Sequence, residues 1–134
     1  MYKRQYLIGS SLGGFWSAHF TEERLANKAV LINPAVSPHT RFTDLVGQTL
    51  EHYYSDEVVC LSREDIDFLA RCESEQFKVP QSVWLMVQTA DEVLDYRLAT
   101  ARYAAAKQLV EEGGNHSFEG FEKWMPEIIE FFDI

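Results

Sequence analysis

Two apolar runs, "KAVLINPAV", ended by Pro34, and "SVWLMVQT", limit what this chain can become more than any other feature. Each has strand length and shows no alternation of polar and apolar residues. A strand so composed must be buried on both faces, which is the situation of a central strand in a parallel sheet with helices packed on either side. Helical patterns stand before and after the runs. "FWSAHFTEERL" carries apolar residues at helical spacing, "DYRLATARYAAAKQ" is alanine-rich with Asp95 placed to cap it, and "EGFEKWMPEIIEFF" closes the chain, with Pro126 expected to kink or restart it. "YLI" and "KQLVEE" supply two more strands. Strands alternating with helices predict an α/β fold, a parallel sheet covered by helices on both faces.

A chain of 134 residues suits one domain. Residues 36–80 are the most polar and least regular, and read as a helical, lid-like excursion with two helical patterns; Ser62 and Asp65 have capping-box spacing at the second. The basic "MYKRQ" start, residues 1–5, abuts the first strand without a turn in an otherwise acidic chain, and is set aside as non-native.

A formal net charge of −9 argues against nucleic acid and anionic membrane surfaces as partners. No apolar run approaches the roughly 20 residues of a membrane span. Cys60 and Cys72 have no zinc or redox spacing, so both are expected to be packing residues in a reducing cytoplasm. No metal or organic cofactor is called for.

The chemistry concentrates at the ends of the strands, where ligands gather in parallel α/β sheets. After the first strand comes Gly9-Ser10-Ser11-Leu12-Gly13, a G-x-S-x-G string, followed by Gly14 and an aromatic helix. After the third comes Asp91, and after the fourth Gly113-Gly114-Asn115-His116. Strand, turn and helix around a serine, followed in order by an acid and a histidine, are the signature of α/β-hydrolases. A nucleophile on so sharp a turn is approached closely by its neighbours, which accounts for glycines two residues to either side. The helix behind it directs backbone N–H groups toward a developing oxyanion. No lysine follows at Walker spacing, and the string is not G-x-G-x-x-G, so phosphate and dinucleotide loops are excluded. Among the other candidates, Asp95 serves as a helix cap and Glu92 is expected to point away from Asp91. His19 is read as a packing or surface residue, and His39 and His52, in the excursion, as exposed or at most lining a substrate entrance.

Taken together, "GSSLGGF", "INPAV", "QTADEVLDYR" and "EEGGNHSFEGFE" resemble the small bacterial α/β-hydrolase esterases of the YqiA/YcfP type, from Tyr6 to the C-terminus. The resemblance implies a serine esterase with Ser11 as nucleophile, His116 as base and Asp91 as the acid orienting it. Ser10 is then a small residue in the tight turn, Leu12 offers one oxyanion N–H, and Gly13 and Gly14 let the helix pack against the strand. The substrate would be a small acyl ester or thioester. A thioesterase or acyltransferase with the same residues, and a non-catalytic binding module, remain as alternatives. Such esterases begin with further strands and an "HGF"-like loop, so the resemblance also implies that an N-terminal portion precedes this chain. Without it, the first strand would leave an edge open to self-association.

Overall fold

The computed structural model describes residues 3–51 and 54–134. In chain order the elements are β1 (Tyr6–Ser10), α1 (Leu12–Glu22), β2 (Lys28–Ile32), α2 (Pro38–Phe42), β3 (Thr49–Glu51), β4 (Val58–Cys60), α3 (Arg63–Cys72), β5 (Val83–Gln88), α4 (Tyr96–Arg102), β6 (Lys107–Glu111) and α5 (Met125–Phe132). They divide into two compact units. Ser37–Glu75 form one, and the residues up to Val36 join Gln76–Ile134 in the other.

The larger unit holds a four-stranded sheet in the order β1-β2-β5-β6, with every neighbouring pair parallel. Its core follows from the period of two along a strand. Ala29 and Leu31 of β2, with Val83, Leu85 and Val87 of β5, face Ala18 of α1, Ala99 of α4 and Tyr103 at its end. Val30, Ile32, Trp84 and Met86 face the opposite way, onto Phe118 and onto Ile128 and Phe132 of α5. The two apolar runs are thus the central strands, and all six residues of β5 are buried. This is the parallel, doubly covered sheet the apolar runs predict.

Two elements of this unit differ from expectation. β6 is largely exposed, since it borders the sheet and carries Lys107 and Gln108. The alanine-rich helix stops at Arg102 and does not run through the alanines of "DYRLATARYAAAKQ", although alanine favours helix. Tyr103 is 1% exposed in the core, and Lys107 already pairs with Trp84 in the β5–β6 ladder. Tertiary packing outweighs the few tenths of a kcal/mol per residue of helix propensity. Pro126 stands in the first turn of α5, where a missing N–H has no helical acceptor to lose.

In the smaller unit the first expected helical pattern is replaced. Among the described residues of this unit before α3, Pro38–Phe42 are α-helical, and Thr49–Glu51 pair antiparallel with Val58–Cys60, Thr49 opposite Cys60, Leu50 opposite Val59 and Glu51 opposite Val58. The β-branched pair Val58-Val59 suits a strand better than a helix. The second pattern is α3, opened by a complete capping box. Ser62 Oγ accepts from Asp65 N at 3.2 Å, and Ser62 N donates to the Asp65 carboxylate at 2.9 Å. Ser37 N and Oγ both donate to Glu73 at 2.7 Å, joining the two ends of the unit. Cys60 is exposed on β4 and Cys72 half-buried on α3, so the expectation that both pack in a core does not hold for Cys60.

Candidate active site

β1 ends at Ser10, and the next residue turns the chain sharply into α1. Ser11 has φ 56° and ψ −122°, a strained positive-φ conformation that a non-glycine residue adopts at a cost of order 1–3 kcal/mol. Backbone hydrogen bonds on both sides hold it there. Its N–H donates to Ile32 O at 3.0 Å, and its carbonyl accepts from Gly14 N at 3.0 Å and Ala35 N at 2.9 Å. The glycines around it have different reasons. A Cβ at Gly9 would run into the Gly13 carbonyl and Ser17 Oγ, and one at Gly14 would lie 2.6 Å from Pro34 Cβ. A Cβ at Gly13 would meet nothing within 4 Å. Close approach between helix and strand therefore depends on Gly9 and Gly14. The expected packing role of Gly13 is not seen, because its α-carbon faces out of the first turn of α1. Leu12 and Gly13, as the first residues of α1, carry backbone N–H groups with no intrahelical acceptor.

The strand ends beyond β2 bring two more side chains to this turn. Thr89 N donates to Glu111 O and Ala90 N to Gly113 O, both at 2.9 Å, so the β5–β6 ladder continues into the loops. Asp91 follows directly. Its Oδ1 accepts from Val93 N at 2.8 Å and Leu94 N at 2.9 Å, which fixes the carboxylate within its own turn. His116 Nδ1 lies 2.9 Å from Asp91 Oδ2 and 3.1 Å from Oδ1. His116 Nε2 lies 3.0 Å from Ser11 Oγ. The Asp91 side chain is 2% exposed and that of His116 21%. One tautomer satisfies every contact: Nδ1–H donates to the carboxylate, and Nε2 accepts from the serine hydroxyl. Three residues far apart in sequence thus form a single chain of hydrogen bonds.

The model of an uncharacterised protein family, UPF0227, matches residues 1–133. The chain belongs to this family. The resemblance to the YqiA/YcfP type stands, and the fold is that of the α/β-hydrolases. Three solved structures align with nearly the whole chain. Alpha/beta hydrolase domain-containing protein 10 from mouse is 20% identical, with a TM-score of 0.69, 99% of this chain covered and 63% of its own. A monoacylglycerol lipase from Paleococcus ferrophilus is 19% identical, with a TM-score of 0.65, 97% of this chain covered and 68% of its own. A protein of Agrobacterium vitis S4 is 17% identical, with a TM-score of 0.66, 95% of this chain covered and 60% of its own. The UPF0227 chain therefore spans about three-fifths to two-thirds of the length of these structures.

The remaining candidates of the UPF0227 chain separate clearly. Asp95 caps α4, accepting from Arg97 N at 3.0 Å and pairing with the Arg97 guanidinium. Glu92, expected to point away from Asp91, has a place in the site that was not foreseen. Its Oε2 accepts from His116 N at 3.0 Å, because the turn after Asp91 swings the next side chain toward the histidine loop. His19 is half-buried on α1, its ring edge-on to Trp16. His39 is half-buried in the smaller unit rather than exposed, and His52 lies outside the described residues. Among the described residues no group of His, Cys, Asp and Glu is placed to hold a metal ion, and no helix is long and apolar enough to cross a membrane.

Two buried polar residues beside the site escaped the reading of motifs. Asn33 is 2% exposed and Gln88 3%. Both stand at the ends of apolar runs, and an amide placed there is the one signal that could have found them. Gln88 Nε2 donates to Glu111 Oε1 at 3.0 Å, and Glu111 Oε2 is paired with Lys123 at 3.0 Å. The hydrogen bond from Gln88, aided by Lys123, holds the Glu111 carboxyl below its ordinary range against the opposing effect of burial.

Proposed function

We propose that this UPF0227 chain is a hydrolase of the serine-esterase type, acting on small carboxylic esters through an acyl-serine intermediate. The observation that carries the reading is the hydrogen-bonded series from Asp91 through His116 to Ser11, set on a strained strand-to-helix turn. The esterases and lipases among structures of the same fold are consistent with it.

In this reading Ser11 Oγ attacks the ester carbonyl as its proton passes to His116 Nε2. The carbonyl π pair moves onto oxygen, and the Leu12 N–H at the start of α1 donates to that oxyanion. Collapse of the tetrahedral species expels the alkoxide, which takes the proton from His116 Nε2 and leaves as alcohol. A water then donates its proton to His116 and attacks the acyl carbonyl, and Ser11 recovers a proton as the acid departs. Asp91 stays ionised throughout, holding Nδ1–H and offsetting the imidazolium charge. Thiol esters would follow the same steps with a thiolate leaving.

The test is labelling by a fluorophosphonate probe with peptide mapping of the modified residue. Ser11→Ala should abolish labelling and Ser10→Ala should retain it. Modification of Ser10, Ser37 or Ser117 instead would remove the assignment. Matched oxygen and thiol esters then decide the leaving group.

A further inference from the structure

The segment bearing His116 is not held by regular secondary structure. Between the end of β6 at Glu111 and the helical turn at Phe121 the chain has neither helix nor strand. Its position rests on side chains reaching in from neighbouring strand ends. Asn33, just after β2, contributes most. Its backbone has φ 40°, which asparagine tolerates better than other side chains, and its N–H donates to Met86 O at 2.9 Å. Its Oδ1 accepts from Gln88 N at 3.0 Å. Its Nδ2 donates to two successive carbonyls, Asn115 O at 3.0 Å and His116 O at 2.9 Å. The amide cannot be turned over, because one partner is a pure donor and the other two are pure acceptors.

The same two residues are gripped from their other side. Gln88 Oε1 accepts from Asn115 N at 3.1 Å, and Glu92 Oε2 accepts from His116 N at 3.0 Å. Side chains thus claim the backbone N–H and C=O of both Asn115 and His116. A Cβ at Gly114 would overlap the Gln88 side chain, so the loop closes directly onto this network.

We infer that Asn33 is a positioning residue for the proposed hydrolysis: its buried amide sets the depth and orientation at which the His116 backbone presents the imidazole to Ser11. The inference rests on the serine-esterase reading for its consequence, though not for its geometry. The carbonyls Asn33 holds belong to the base and its neighbour, whose ring must meet Ser11 and Asp91 at 3.0 and 2.9 Å simultaneously. Release of the segment breaks that double alignment before it unfolds the sheet, whose core lies on other residues.

The deciding variant is Asn33→Asp. It keeps the shape, the tolerance for positive φ and the acceptor for Gln88 N, and replaces the Nδ2 donors by an oxygen facing two carbonyls. In the full chain, a cooperative melt should persist. Fluorophosphonate labelling of Ser11 should slow about 10²-fold, the usual scale for a displacement near 1 Å at a reacting group. The loss should fall on the bond-forming step, leaving the concentration at which the probe half-saturates unchanged. The downfield proton resonance of His116 Nδ1–H, bonded to Asp91, should shift or broaden. Should Asn33→Asp not fold, Asn33→Gly accepts the same backbone and removes the amide, with the same losses expected. Wild-type labelling rate with an unmoved His116 resonance in the folded variant would overturn the inference and leave Asn33 as a structural residue only. Failure of the wild-type chain to label at Ser11 would instead count against the esterase reading, and the resonance would still judge the clamp.

Discussion

Replacing Asp91 by asparagine separates orientation from packing at this site. Asp91 Oδ1 already accepts from two backbone N–H groups, Val93 and Leu94, at 2.8 and 2.9 Å. In Asp91→Asn the amide oxygen must stay in that position, since an NH₂ there would oppose two donors. The new Nδ2 is therefore placed where Oδ2 stood, 2.9 Å from His116 Nδ1. Facing a donor, Nδ1 becomes the acceptor and the imidazole proton moves to Nε2. Nε2–H cannot accept the Ser11 proton, although every heavy atom is almost where it was. The loss of turnover should be about 10³- to 10⁴-fold, equivalent to roughly 4–5.5 kcal/mol in the barrier. Asp95→Asn is the matched control, because asparagine caps a helix about as well as aspartate. The assay is initial-rate turnover of a short-chain aryl ester, with thermal melts of both variants and ¹⁵N NMR of the His116 ring nitrogens. A tautomer change with activity intact would refute the role given to His116. Equal losses in Asp91→Asn and Asp95→Asn would refute the assignment of the acid.

Two further outcomes follow from the same geometry. Gly9→Ala and Gly14→Ala should each lower stability by about 1–3 kcal/mol or more through overlap with Ser17 or Pro34, whereas Gly13→Ala should cost nothing; thermal melts rank the three, and an equal penalty at Gly13 would contradict the open space found there. The Glu111 carboxyl is held below its ordinary value of 4.5, so its contribution to stability is complete above that pH and is lost as pH falls through the lowered folded value. The difference in melting temperature between wild type and Glu111→Gln should therefore narrow as pH drops below 4.5, and a constant difference would show that the pairing with Gln88 and Lys123 contributes nothing.

What the sequence determined by itself was whatever depends on short-range pattern. Continuous apolar runs can be satisfied only between two layers, so the parallel sheet, its two central strands and its flanking helices were legible from "KAVLINPAV" and "SVWLMVQT". The order of Ser11, Asp91 and His116 at successive strand ends was legible for the same reason: parallel strands bring all their carboxyl ends to one border. The pairing of Thr49–Glu51 with Val58–Cys60 was not legible, because β-pairing is set by the partner strand, and the spacing of residues within one segment says nothing about that partner. The lock on the histidine loop belonged wholly to tertiary structure. Asn33 and Gln88 act across strands β2, β5 and β6, and no local periodicity marks a polar side chain whose partners lie 82 and 27 residues away. The turn of Glu92 toward His116 and the division of labour between Gly13 and Gly14 were decided in the same way, by atoms that only the packed sheet brings within reach.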